Sequence, residues 1–381
     1  THSCVFPSPP LSPPPFLDAG IEHRQTPEVA QCLKLITVPG TQRVCQYAFD
    51  LAREQNRKRV TCITKNNIMK ITDGLFANVF HEVAKNYPEF ETEHRIVDIA
   101  TAQVASKPHI FDVIVTLNLY GDIISDVAAE VAGSVGLCGS ANIGDKAAMF
   151  EAVHGSAPDI AGQNIANPSG LLNGAVMMLS HIGQRSTAVT IKNAFLSTIE
   201  DGLHTADIYR KDQSKKKVGT AEFTNAVIER LGATPKVLKA EALVESDDAT
   251  PVKKEPYKVL EEPVLVAAPK TLAGCDVFVN WTSDSRNPDD LAEVLRSCQE
   301  EGLELEMISN RGVKVWPQGH DDTFKVDHWR CRFSASNGAV ASKHQIWDTI
   351  RRLTDAGIDV IKTENLYNFG EEAGYSRGQG Q

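Results

Sequence analysis

Between residues 20 and 232, short apolar runs with strand character alternate with stretches of helical periodicity. A chain written this way is committed to helices layered on a sheet, an α/β domain. Residues 59–65 read as a strand and 72–86 as the helix after it. Residues 111–117 form a second strand, followed by a helix that opens after Gly121 and stops at Gly133. Residues 147–153 are a third strand. Asn167 and Pro168 supply an N-cap and a first-turn proline for a helix that runs to Gly183. The alternation fails over residues 234–262, rich in Pro, Lys, Glu and Asp, which read as a linker. Beyond it, from 276 to 363, come strand, helix, two strands, helix and strand, the order of a ferredoxin-like split βαβ unit. Leu291, Val294, Leu295, Ile346, Ile350 and Leu353 fall at spacings expected of core positions in its two helices.

Composition narrows the partners. Thirty-nine Lys and Arg against 49 Asp and Glu give a net charge of -10. An acidic surface attracts neither nucleic acid nor an anionic membrane. A small anionic substrate then needs local positive charge or a metal at its site. The eight cysteines are scattered without a C-x-x-C pair, the usage of reduced thiols in a reducing compartment. No apolar run reaches the ~18 residues of a membrane span. The expectation is a soluble protein of bacterial cytoplasm or mitochondrial matrix. Residues 1–16 carry six of the 19 prolines and no charge, and they match neither a transit nor a signal peptide.

Three motifs carry chemistry. In Asn118-Leu-Tyr-Gly-Asp122-Ile-Ile-Ser-Asp126, a strand delivers the chain to a helix opening with carboxylates at i and i+4, on one face. Paired carboxylate oxygens suit Mg²⁺ or Mn²⁺, although acids in a first helical turn are also favoured by the dipole. Ile124, Val127, Ala128 and Val131 are expected to bury on the other side. In Thr64-Lys65-Asn66-Asn67-Ile68-Met69-Lys70, a lysine sits at a strand end, where α/β enzymes place reactive groups. The bland alternative is a surface lysine in a turn. In the third, His154-Gly-Ser-Ala-Pro-Asp159-Ile160-Ala-Gly and on to Asn167-Pro, a small-residue loop joins strand to helix and lets backbone N–H groups approach phosphates.

Together and in this order, the motifs resemble the isocitrate and 3-isopropylmalate dehydrogenase family, over residues 19–232. Residues 275–381 resemble the additional C-terminal domain of the longer homodimeric isocitrate dehydrogenases. The resemblance implies an isocitrate-dehydrogenase-like α/β fold, incomplete at its start, with a small ferredoxin-like C-terminal domain. The implied domains are 1–16 foreign to the family, 17–233 dehydrogenase-like, 234–262 linker and 263–381 C-terminal. The implied reaction is oxidative decarboxylation of isocitrate to 2-oxoglutarate, with hydride passing to a nicotinamide cofactor and a divalent metal as Lewis acid. By match of motif, Asp98, Asp122 and Asp126 are metal ligands and Lys65 and Asp98 catalytic, with Asn67 beside Lys65 on the substrate. Lys65 and Asp98 come from the opposite subunit of a homodimer, so its active sites are shared. Glu151, His154, Gly155, Ser156, Ala157, Asp159, Ile160 and Asn167 match the cofactor loop.

NADP users of the family tend to carry Lys and Tyr where Asp159 and Ile160 stand. A carboxylate there accepts from ribose hydroxyls and repels a 2′-phosphate, so the expected cofactor is NAD, with Arg210 the one feature favouring NADP. The family's substrate-gripping residues precede the point where the likeness begins, and Asp18 stands where a tyrosine is expected. The chain is therefore expected to be truncated and weakly active or inactive. Two other readings compete: a non-catalytic or regulatory subunit, and a homoisocitrate or 3-isopropylmalate dehydrogenase.

Overall fold

In a computed structural model of the chain, the described residues are 22–144, 146–242, 268–319 and 322–377. They fall into two compact units, 36–242 in one and 22–35 together with 268–377 in the other. The expected lead, residues 1–16, and most of the expected linker lie outside the described residues. The chain enters through a short antiparallel hairpin, β1 (Glu22–Arg24) and β2 (Ala30–Cys32). By its contacts this hairpin belongs with the C-terminal residues rather than with the segment that follows it.

The dehydrogenase-like unit opens with α1 (Val38–Glu54), capped by the Thr37 hydroxyl accepting from the Gly40 N–H at 3.2 Å. Then follow β3 (Arg59–Thr64), α2 (Thr72–Ala84), β4 (Glu91–Ile96), α3 (Val97–Ser106), β5 (Val113–Thr116) and α4 (Asn118–Ala132). The three strands form a parallel sheet in the order β4-β3-β5. Central β3 is buried along nearly its whole length, as a strand covered on both faces must be. Cys45, Ala48, Phe49 and Ala52 of α1 and Phe76, Val79, Phe80 and Val83 of α2, each set at helical spacing, bury against one another and the sheet. On the other face, Ala100 and Val104 of α3 and Ile124 of α4 close over Ile63.

Helix α4 begins three residues before the expected Gly121 and ends at Gly133, whose φ of 121° lies where side chains are rarely tolerated. Of its expected buried residues Ile124 is buried and Val127 and Ala128 half-buried. Val131 is exposed and lies outside the cluster that α4 forms with α3.

The expected third strand does not join this sheet. β6 (Gly139–Ile143) and β7 (Ala148–Ala152) pair antiparallel with each other, and α5 (Ser169–His181) lies against them. A Cβ on Gly139 would stand 2.5 Å from the Gly174 nitrogen, so the helix seats only because both positions lack side chains. The unit is completed by α6 (Arg185–Glu200), the strand pair β8 (Leu203–His204) and β9 (Lys216–Lys217), and α7 (Thr220–Glu229).

The second unit holds β10 (Lys270–Asn280), α8 (Pro288–Cys298), β11 (Leu303–Asn310), β12 (Val313–Trp316), β13 (His328–Ala335), α9 (Lys343–Asp355), β14 (Asp359–Phe369) and β15 (Glu372–Ala373). The sheet order β12-β11-β13-β10-β14-β15, antiparallel throughout, contains the four-strand core of a ferredoxin-like fold. Leu291, Leu295, Ile346 and Leu353 bury in its core, with Val294 and Ile350 packed against them. Strand alternation sends Asp276, Arg330 and Arg332 to the other face. There the guanidinium of Arg332, 1% exposed, grips Asp276 through two bonds of 2.8 and 2.9 Å.

The hairpin is held at four points. Thr26 Oγ1 donates to Asp327 Oδ1 at 2.5 Å in a buried setting, and Arg286 Nη1 and Nη2 donate to the Glu28 carboxylate at 3.1 and 2.8 Å. The Asp327 N–H also donates to Glu28, at 2.9 Å, and Gln31 meets His328. Asn310, fully buried, bonds both sides of Asp327 through Val326 and His328, which fixes the loop that receives the hairpin.

Candidate active site

The carboxyl edge of the parallel sheet collects the first two motifs. Lys65 leaves the end of β3, Asp98 stands one residue into α3 beyond the end of β4, and Asp122 and Asp126 lie on α4 beyond β5. Such edges are where open α/β sheets bind ligands. Lys65 is held by its peptide. Its N–H donates to the buried Asp73 carboxylate at 2.7 Å, and its carbonyl accepts from Ile68 and Met69. The side chain, half-buried, brings Nζ to 3.0 Å from Asp98 Oδ2. That ammonium, with help from backbone N–H groups, holds the Asp98 carboxyl below its ordinary range. Asn67 lies exposed in the turn that follows.

Asp122 and Asp126 are both exposed on the same face of α4, as their spacing requires, and neither makes an ion pair among the described residues. Two free carboxylates one turn apart fit a hard divalent cation of the Mg²⁺ or Mn²⁺ kind. Among the described residues, however, no three His, Cys, Asp or Glu side chains converge. One chain thus brings Asp98 to Lys65 but does not bring it to Asp122 and Asp126.

The third motif is an exposed loop with a fixed frame. Glu151 accepts from Asn142 at 3.0 Å, and His154 Nδ1 lies 2.9 Å from the Gly155 carbonyl. The N–H groups of Gly155, Ser156 and Ala157 donate to no protein acceptor among the described residues. Ala157 takes a left-handed φ of 45°, a strained choice for a residue with a Cβ. Asp159 and Ile160 sit in the 3-10 turn Pro158–Ile160. The loop is tied down at its far end. Asn164 accepts from the N–H groups of Thr220 and Ala221 at 3.0 and 2.9 Å, and buried Asn167 donates to Asp207 Oδ2 at 2.9 Å while accepting from Ser169 N–H. Burial alone would raise the Asp207 carboxyl, but hydrogen bonds from Ser134, Thr205 and Asn167 outweigh it and hold it low. Arg210, three residues on, is exposed beside Lys211 and the 215–217 lysines.

Sequence reasoning missed the anchors: Asp73 behind Lys65, Asp207 behind Asn167, and the Thr220 end of the loop. Asp207 was within view, in the Asp207-Ile-Tyr-Arg210 stretch weighed only for its arginine. Asp73 reads from sequence as an ordinary acid at a helix start.

The family model for isocitrate/isopropylmalate dehydrogenase matches residues 17–227, and that for the bacterial isocitrate dehydrogenase C-terminal domain matches 270–381. An NADP isocitrate dehydrogenase of Rickettsia bellii is 52% identical over 96% of this chain and 74% of its own length. One from Thermus thermophilus is 40% identical over 96% and 71%. A crystal structure of a Thermus thermophilus protein superimposes with a TM-score of 0.81 at 38% identity, covering 97% of this chain and 75% of that one. The expectation that this chain is silenced by truncation gains no support from these alignments.

The expected preference for NAD is overturned, since these relatives are named for NADP. The structure supplies a physical reason. Asp159 is exposed, and a solvated carboxylate repels a phosphate only weakly through screened water. The Arg210 segment, meanwhile, is tied to the same loop through Asn167 and Asp207.

Proposed function

The chain belongs to the isocitrate/isopropylmalate dehydrogenase family, and on that premise we propose that it converts isocitrate and NADP to 2-oxoglutarate, CO₂ and NADPH in a site shared between two copies. The observation that supports the reading is that Lys65 and Asp98, 3.0 Å apart, and the separate Asp122/Asp126 pair all lie beyond the carboxyl ends of the parallel strands. The match of residues 270–381 to an isocitrate dehydrogenase domain favours isocitrate over isopropylmalate.

Asp122 and Asp126 of one copy, with Asp98 of the other, hold the divalent metal, which when bound supplies Lewis acidity to the substrate oxygens. Division between copies accounts for Asp98 lying 3.0 Å from Lys65 rather than beside the α4 carboxylates. Lys65 Nζ, beside Asp98, both attracts the anionic substrate and carries the proton that the product carbon receives. Asn67 offers its amide to the same substrate. The open N–H groups of residues 155–157 would receive a cofactor phosphate, with Glu151, His154, Asp159, Ile160 and Asn167 shaping the loop. Arg210 supplies the charge for the 2′-phosphate.

The test is NADP and NAD reduction with isocitrate and Mn²⁺, for the wild type and Arg210→Ala. Turnover with NADP is expected, with the arginine loss raising KM for NADP and leaving that for NAD unmoved. Turnover with isopropylmalate but not isocitrate, or none with either, would remove the proposal.

A further inference from the structure

We propose that Asp73 is the positioning residue for Lys65, acting on the lysine's peptide rather than its side chain; this rests on the role given to Lys65 above. Asp73 is fully buried, and burying a carboxylate is costly unless it is given strong partners. Its place as the second residue of α2 offers a plain explanation, since helix starts favour acids. That explanation leaves the geometry unaccounted for. Helix α2 has no side-chain cap, and the Asp73 carboxylate reaches back eight residues to accept from the Lys65 N–H at 2.7 Å. A charged acceptor at that distance makes one of the stronger hydrogen bonds available to a backbone.

The rest of the turn closes around the same residue. The Lys65 carbonyl accepts from the N–H groups of Ile68 and Met69 at 3.0 and 2.9 Å, and the Met69 carbonyl in turn accepts from the Asp73 N–H at 3.0 Å. Just before it, Thr64 Oγ1 accepts from the Asn66 N–H at 3.3 Å and bonds His94 at 2.8 Å. Lys65 is thereby fixed on both sides of its Cα, and only the side-chain torsions remain between that fixed point and Asp98. A buried aspartate thus converts a turn after a strand, ordinarily mobile, into a rigid mount for one ammonium group. Since a displacement of about 1 Å at a reacting group can cost on the order of a hundredfold in rate, such a mount has a measurable consequence.

The experiment compares Asp73→Ala and Asp73→Leu, which remove the acceptor, with Asp73→Asn, which keeps a carbonyl oxygen in its place. Two readouts are taken on the full chain: steady-state turnover with isocitrate, NADP and Mn²⁺, and amide exchange across residues 64–69. The Ala and Leu variants should exchange faster over that segment and lose roughly ten- to a hundredfold in kcat, with KM values within about twofold. The Asn variant should stay within about threefold of wild type in both. Should the alanine variant fail to fold, the leucine variant, which refills the buried space, carries the comparison. Unchanged exchange in the acceptor-less variants overturns the anchor. Faster exchange with unchanged kcat overturns the positioning role, as does an equal loss of kcat in all three variants. A wild type without turnover strikes instead at the reading of Lys65, while the exchange arm still reports on the anchor.

Discussion

A chain carrying Lys65→Met and a chain carrying Asp126→Asn should restore each other's activity when mixed, because each keeps the half of the site the other has lost. Within one chain Lys65 Nζ stands 3.0 Å from Asp98, and among the described residues Asp98 belongs to no cluster of three His, Cys, Asp or Glu side chains. If Lys65 and Asp98 of one copy serve Asp122 and Asp126 of the other, a hybrid dimer holds one site with both lesions and one with neither. Random assortment makes half of the dimers hybrids, each with one intact site of two, so turnover should recover to about a quarter of wild type. Each variant alone should lie at least about a hundredfold below wild type, the usual loss for removing a proton-transfer group. Differently tagged chains are refolded together, the hybrid fraction is measured by native mass spectrometry, and NADPH formation is followed with isocitrate and Mn²⁺. Hybrids that form in the expected proportion but stay at the level of the single variants would refute the shared site, since a site complete within one chain gains nothing from mixing.

In the C-terminal unit, Asp276→Ala strips the buried Arg332 of its bidentate partner and should lower stability by about 3–5 kcal/mol. Denaturant unfolding followed by fluorescence of the packed Trp281–Trp329 pair reports on it directly. Thr26→Val removes the hydroxyl that Asp327 accepts from and leaves a buried carboxylate short of a partner, a loss of about 1–3 kcal/mol in the same assay. Burial, with the charge of His81 adding to it, holds His94 below its ordinary value of 6.5. The unfolded chain therefore takes up that proton more readily, and the stability His94 contributes is intact above 6.5 and lost as pH falls through that value toward the folded one. Thermal midpoints between about pH 5 and 7.5 should slope less in His94→Asn than in wild type.

The α4 motif was legible because its chemistry and its fold agree: a strand end, a glycine, and two acids at helical spacing against Ile124. The C-terminal unit was legible from periodicity alone, since Leu291, Leu295, Ile346 and Leu353 are large apolar residues at regular intervals. Helix α1 escaped notice because small residues such as Cys45, Ala48 and Ala52 make up most of its buried stripe. The strand at 148–152 was found but not its partner, as pairing depends on Gly139 and Gly174 allowing α5 to close on the hairpin. Cofactor choice misled because Asp159 and Arg210 were weighed by residue type alone, and the tie of the Arg210 segment to that loop through Asn167 and Asp207 is not visible in the sequence. The anchors at Asp73 and Asp207 were hidden for a related reason: each acts through a backbone or amide partner that residue type does not disclose.

The docking of the first hairpin has a consequence for how the protein is made. Thr26 and Asp327 are 301 residues apart in the chain, and the dehydrogenase-like unit lies entirely between the segments they belong to. At ribosomal speeds of about 5–20 residues per second, the hairpin waits roughly 15–60 s for the loop that receives it. During that interval β1 and β2 are a bare two-stranded ribbon, too small to hold its own shape, with both edges open to pairing. The 36–242 unit can close meanwhile, so synthesis passes through a state in which that unit is folded and the hairpin is not yet docked. A chain released after residue 242 would keep that state permanently.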